Sequence, residues 1–121
     1  MMVNQHPVLK IGIAAPEVQR QRVLDIAAGR RKRAEGEPRV WFPSLKTAAE
    51  VLDRNRELIR VICDESPGSV TELALRVGRK ESNVSRSLKR LEAFGIVRLL
   101  DEGRSRRPIA LARDFEIQVS C

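Results

Sequence analysis

Residues 69–97, SVTELALRVGRKESNVSRSLKRLEAFGIV, constrain this chain more than any other stretch. Pro67-Gly68 breaks the chain ahead of it. Ser69 stands three residues before Glu72, the spacing at which a serine caps a helix and a glutamate reaches back to its first amides. Leu73, Ala74 and Val77 then share one side of a short helix. Gly78 suits the left-handed conformation that ends such a helix and opens a tight turn. Arg79, Lys80 and Glu81 fill the turn, and Ser82 is placed to cap a second helix. That helix has Val84, Leu88 and Leu91 on its apolar side, Phe94 closing the stripe and Gly95 ending it.

A short hairpin is expected next. Ile96, Val97, Leu99 and Leu100 make one strand, Gly103 sits in the tip DEGRSRRP (101–108), and Ile109 to Leu111 return. Helix, turn, helix and basic hairpin is the layout of a winged helix-turn-helix. The expected fold class is therefore mainly α with a small β wing (α+β), preceded by an N-terminal strand-helix arm.

The second helix of this unit carries the chemistry. At about 100° per residue its polar face holds Ser82, Arg86, Lys89 and Arg90, with Asn83, Ser85 and Ser87 on the flanks. Arginine can donate two hydrogen bonds to guanine, asparagine can pair with adenine, and serine serves base or phosphate. In such motifs the N-terminal half of the second helix enters the major groove. Asn83, Ser85 and Arg86 are therefore the base-reading candidates. Ser69, Arg79, Lys80, Ser82, Lys89 and Arg90 are the backbone-contact candidates. In the wing, Arg104, Ser105, Arg106 and Arg107 are placed to follow phosphates or enter a narrow minor groove. The plainer alternatives are a solvated helix face and an unstructured surface loop.

Charge placement favours the sharper reading. The chain has a formal charge of +7, and residues 79–107 alone hold nine Lys/Arg against four Asp/Glu. A chain basic in this pattern attracts a polyanion. Single-stranded nucleic acid or RNA is a weaker alternative, because stacking platforms need aromatics and the chain has three Phe, one Trp and no Tyr. Trp41 and Phe42 are read instead as anchors that dock the arm on the core.

No catalytic set is present. His6 is the only histidine, and there is no Gly-rich phosphate loop, HExxH or CxxC pattern, so no enzyme, metal or cofactor is expected. Cys63 falls within an apolar helical pattern and reads as a buried structural thiol, and Cys121 is terminal. Neither implies a disulfide framework, which suits a reducing cytoplasm. No apolar run approaches the length of a membrane span, so no membrane partner is expected.

Two regions are expected: an arm over 1–39 and a DNA-binding domain over 40–121. Residues 7–14, PVLKIGIA, alternate with period two and predict a strand, and Pro16 opens a helix running to about Ala28, with apolar Val18, Val23, Leu24 and Ala27. Arg30-Arg31-Lys32-Arg33 is either a solvated helix end or a phosphate-contacting arm. EGEP (35–38) reads as a linker. Ser44 caps a helix through Leu45, Ala48, Ala49 and Leu52, and Asp53 is placed to cap the next, with Leu58, Ile59, Val61 and Ile62 supplying core. Because one small module buries little surface on DNA, a homodimer is expected. The strand and helix within 7–30 are the leading dimerisation candidate, pairing with a symmetry mate or embracing the neighbouring core, and FEIQV (115–119), which alternates like an edge strand, is the second.

From about Lys46 to Arg113 the chain resembles winged-helix regulators of the MarR/ArsR-like superfamily, and more narrowly the HVO-A0114-like predicted regulators of bacteria and archaea. RNRELIRVI (54–62), the 69–97 run and the short wing carry the likeness. The resemblance implies a sequence-specific double-stranded DNA-binding regulator, an autoregulating repressor by expectation. It also implies an alternative: an antitoxin or protein-interaction module that neutralises a cognate toxin, the TumE type among them, with DNA binding secondary. The paired-Cys metal-sensing motif of some ArsR relatives is absent, which disfavours metal sensing.

Overall fold

The structure, a computed structural model, describes residues 8–121; His6 and Pro7 lie outside the described residues. The order is β1 (Val8–Ile13), α1 (Pro16–Ala27), β2 (Val40–Phe42), α2 (Leu45–Arg54), α3 (Arg56–Glu65), α4 (Val70–Val77), α5 (Glu81–Phe94), β3 (Val97–Glu102), β4 (Ser105–Ala110) and β5 (Asp114–Gln118). The fold is mixed α and β. Its strands form a three-stranded sheet in the order β2-β1-β5 and a separate β3-β4 pair.

Sequence signals that act locally set most boundaries. Pro16 occupies the first turn of α1, where its missing N–H costs nothing. Ser44 caps α2 by accepting from the Thr47 amide at 3.1 Å. Between α2 and α3 the expected cap is displaced. Asn55, not Asp53, occupies the junction, and its buried amide Nδ2 donates to the Val51 carbonyl at 2.7 Å. Asp53 instead completes α2 and faces solvent opposite Arg56.

The core is aliphatic. Val51 of α2, Leu58 and Val61 of α3, Leu73 of α4, and Val84, Leu88 and Leu91 of α5 are all essentially inaccessible to solvent. Ile11, Val40 and Phe42 close this layer from the sheet, and Phe42 stacks on Phe94 with ring centroids 4.1 Å apart. Cys63 is half-buried on α3, and burial pushes its thiol pKa up.

The three-stranded sheet was the least foreseen element. β1 runs parallel to both neighbours, with Ile11 opposite Val40 on one side and Ile117 on the other. Both hydrogen-bonding edges of β1 are thus used within the chain, which removes the expected pairing of this strand with a symmetry mate. Parallel neighbours give a strand no hairpin signature, so periodicity alone does not name its partners.

The apolar residues of α1 do not reach the core. No residue of this helix is buried, and Val18, Val23 and Leu24 are at least half exposed. A polar clamp holds it instead. The Arg22 guanidinium lies 4.8 Å from the centroid of the Trp41 ring, and it donates through both terminal nitrogens to Glu37. Arg31 donates to the same carboxylate at 2.9 Å, and so does the Ala34 amide at 3.0 Å. Trp41 in turn lies across β1 at Gly12, where a Cβ would run into its ring. The segment around EGEP is therefore tied down rather than a free linker. Arg30 and Arg31 of the basic run are also engaged, with Asp25 and Glu37.

Hydrogen bonds from Arg22 and then Arg31 lower the Glu37 pKa from 4.5 to about 2. A carboxylate depressed in the folded state stabilises above its ordinary pKa and loses that contribution as the pH falls through the folded value. The clamp should therefore weaken between about pH 4.5 and 2. Trp41, the one tryptophan, reports it directly. Its emission should change in this acid window, and Glu37→Gln should show the changed emission already at neutral pH. An identical acid transition in wild type and variant would refute the assignment.

Candidate nucleic-acid interface

Two helices and a hairpin build the candidate surface. α4 starts as its sequence requires: the Ser69 hydroxyl accepts from the Glu72 amide at 3.0 Å. The reciprocal half of the expected box is shifted by one residue, since Glu72 accepts from the Gly68 amide at 2.6 Å. Gly78 ends α4 with φ 67°, a left-handed conformation that side chains resist. The Arg79 amide then returns to the Ala74 carbonyl, and the turn hands over to α5 after only two further residues.

The cap of α5 lies two residues earlier than its sequence suggests. Lys80 is the cap position, with no side-chain cap, and Ser82 lies inside the first turn, exposed. Glu81 occupies the first helical position, where the positive end of the helix dipole favours a carboxylate. Its Oε1 accepts from the Thr71 hydroxyl of α4 at 2.9 Å, pinning the two helices together. Glu81 thus belongs to α5 and not to the turn in which its sequence placed it. A glutamate just before a serine is the signal that could have found it, because acidic residues are favoured in a first turn.

The burial pattern separates the two faces of α5. Val84, Leu88 and Leu91 are fully buried, whereas Ser82, Asn83, Arg86, Lys89 and Arg90 are exposed and Ser85 is half-buried. Within the base-reading trio, Asn83 and Arg86 meet: Arg86 Nη2 donates to Asn83 Oδ1 at 2.7 Å. Ser85 lies off to the side of this pair. Arg79 folds back along α5 and donates to the Ser87 hydroxyl at 3.1 Å. Ser69, at the far end of α4, has its oxygen committed to the cap.

The hairpin is longer and tighter than expected. β4 begins at Ser105 rather than Ile109, and Glu102 pairs with Ser105 across Gly103 and Arg104. Gly103 has φ 69°, which permits so short a turn. Most of the expected loop is therefore ladder. Its arginines are partly neutralised: Arg106 pairs with Asp101 at 3.1 Å and Arg107 with Glu102 at 2.7 Å. Ser105 donates to the Glu102 carbonyl at 3.3 Å, and Arg104 stands at the turn itself. Glu92 anchors the hairpin to α5 by accepting from the Leu99 amide at 3.0 Å.

Pairing with carboxylates varies along the chain. Arg22, Arg30, Arg31, Arg60, Arg76 and Arg113 each engage an acidic neighbour. Among the described residues, Arg79, Lys80, Arg86, Lys89 and Arg90 make no salt bridge. Lys10, Arg20, Lys32, Arg33, Arg39, Lys46, Arg54 and Arg98 are likewise without a salt bridge elsewhere among the described residues, but the turn and outer face of α5 gather five such cations within twelve residues. No group of three or more His, Cys, Asp or Glu among the described residues is placed to hold a metal, and no described helix is long and apolar enough to cross a membrane.

Residues 50–117 match the model of the HVO_A0114 family. The chain belongs to the HVO_A0114 family. The matched region runs from within α2 to within β5, and so takes in α4, α5 and the hairpin and leaves out β1, α1 and β2. None of the curated proteins matches the chain.

The Ser69 cap satisfies an otherwise orphaned amide at the entry to the two-helix unit, so Ser69→Ala should destabilise the protein by about 1 kcal/mol. Urea denaturation with helical ellipticity as the readout checks this, and an unchanged midpoint would show that the cap contributes nothing.

Proposed function

We propose that this protein is a sequence-specific, double-stranded DNA-binding transcriptional regulator. In this reading it is a winged helix-turn-helix protein of the MarR/ArsR-like superfamily, acting in the cytoplasm as a homodimer and an autoregulating repressor. The observation that carries the reading is the uncompensated positive face of α5, backed by a fully buried apolar stripe. A rigid helix with an exposed Asn83–Arg86 pair near its N-terminus suits insertion into a major groove, with asparagine for adenine and arginine for guanine. Ser85 sits at the flank of that readout. Lys89, Arg90, Arg79 and Lys80 suit phosphates on either side. Arg104 at the hairpin turn is the wing residue with no acidic partner among the described residues, whereas Arg106 and Arg107 would exchange carboxylate for phosphate on binding.

One observation favours a second function alongside the first. α1 leaves Val18, Val23 and Leu24 at least half exposed among the described residues. Such a helix suits a protein partner, a cognate toxin in the antitoxin reading.

The test is titration of the purified protein against its own upstream DNA and a scrambled duplex across a range of salt. A preference that survives near-physiological salt is expected. Equal, salt-sensitive binding to both duplexes would leave only counterion release and sink the specific-regulator reading. Arg86→Ala should cost about 1–3 kcal/mol and relax specificity at one position. Lys89→Ala should weaken all sequences alike and reduce the salt slope by about 1. Arg86→Glu combined with Arg90→Glu should abolish DNA binding and leave toxin neutralisation intact; loss of both in a folded variant would show the two functions share one surface.

A further inference from the structure

We propose that β5 pairs antiparallel with β5 of a second copy, about a two-fold axis at Ile117, joining two three-stranded sheets into one of six. This deepens the homodimer reading and rests on it for one point, that the working species contains two copies. The argument itself comes from the sheet.

A sheet edge left open presents unpaired amides and carbonyls, and natural proteins blunt such edges with proline, charge or cover. The two edges here are unequal. β2 is three residues long and lies between Pro38 and Pro43, neither of which has an N–H to donate. β5 has no proline, and no strand lies beyond it among the described residues. Its side chains also point to incomplete cover. Phe115 and Ile117 stand opposite Leu9 and Ile11 of β1, and directly paired residues project to the same face. That face is the core side, since Ile11 is fully buried. Ile117 nevertheless stays 38% exposed, and Val119, next in the alternation, 51%. The apolar layer thus runs past the point where this chain's helices stop covering it.

Symmetry then selects a register. A two-fold axis through an antiparallel pair passes between a residue and its own copy, and like charges directly opposite are destabilising. An axis at Glu116 sets that carboxylate against itself, an axis at Phe115 sets Asp114 against Glu116, and an axis at Gln118 leaves only Gln118 itself paired within the span of β5. An axis at Ile117 places Ile117 against Ile117, Phe115 against Val119 and Glu116 against Gln118, whose amide can donate to the carboxylate. The strand is self-complementary in this register. The partner's Val119 then arrives beside Phe115 at the mouth of an open cleft of about 840 Å³, to which Leu52 and Ile59 also contribute. Both helical layers come to lie on the same side of the joined sheet.

Light scattering of the full chain should give twice the 13.7 kDa chain mass. In a Cys121→Ser background, Ile117→Cys should form a disulfide-linked dimer under mild oxidation, whereas Glu116→Cys, projecting to the other face and offset from its copy, should link poorly. Ile117→Lys, with native circular dichroism, should shift the mass to that of one chain. A monomeric wild type would overturn the proposal. So would a dimer that withstands Ile117→Lys and leaves Ile117→Cys unlinked. A dimer that meets these expectations without binding DNA would sink the regulator reading and leave this interface standing.

Discussion

Everything that α5 offers to solvent depends on what its other side buries. Val84, Leu88 and Leu91 insert between α4, the hairpin and the sheet, and Phe94 extends the contact to Phe42. Truncating such a residue to alanine typically costs a small domain about 2–5 kcal/mol, a large share of its whole stability. The exposed face gains its rigidity from this packing rather than from its own hydrogen bonds. Thr71 to Glu81 at one end and Glu92 to the Leu99 amide at the other fix the ends of the helix against α4 and the hairpin. A side chain presented from such a scaffold keeps its position when it meets a ligand, which short polar contacts require.

The parts legible in the sequence are those whose signals act over a few residues. Ser44 and Ser69 as caps, Pro16 at a first turn, Gly78 and Gly95 as left-handed ends, and the stripe of α5 are each dictated locally, and each stands where its residue type places it. Helix starts shift by two residues where two local preferences compete. Ser82 is a good cap, but Glu81 is stabilised one position earlier by the helix dipole and by Thr71. The hairpin is longer than its sequence suggests because its ladder is made of charged residues, Asp101, Glu102, Arg106 and Arg107, a composition that resembles loop. The sheet was illegible for a different reason. β1, β2 and β5 meet from residues 8–13, 40–42 and 114–118, and nothing in a six-residue alternation names partners so distant. The exposed face of α5 could be foreseen from periodicity; the contact between Asn83 and Arg86, and the acidic partners of the hairpin arginines, required coordinates.

Composition alone would treat every arginine alike, and the structure does not. Around α1 the guanidinium groups of Arg22 and Arg31 converge on one carboxylate and one indole, so their charge holds a helix that has no apolar anchor. Along α3 and α4, Arg60 and Arg76 sit among acids spaced three, four or eleven residues away, which cancels the local field. The turn and outer face of α5 are one place where several cations without a salt bridge lie close together in the chain. Exposed pairs contribute little to stability, typically about 0–1 kcal/mol, so folding alone does not demand that Arg106 and Arg107 be paired and Arg86 and Arg90 not. A face left uncompensated at no structural benefit makes physical sense when an external anion completes it. The field of a duplex extends roughly 8–10 Å into physiological salt before it is screened, far enough to orient this face before contact. In the proposed regulator the paired hairpin arginines then serve a later step, since each must leave a carboxylate to reach a phosphate, and that exchange is nearly neutral in charge. Attraction would come from α5 and its turn, and the hairpin would adjust the fit.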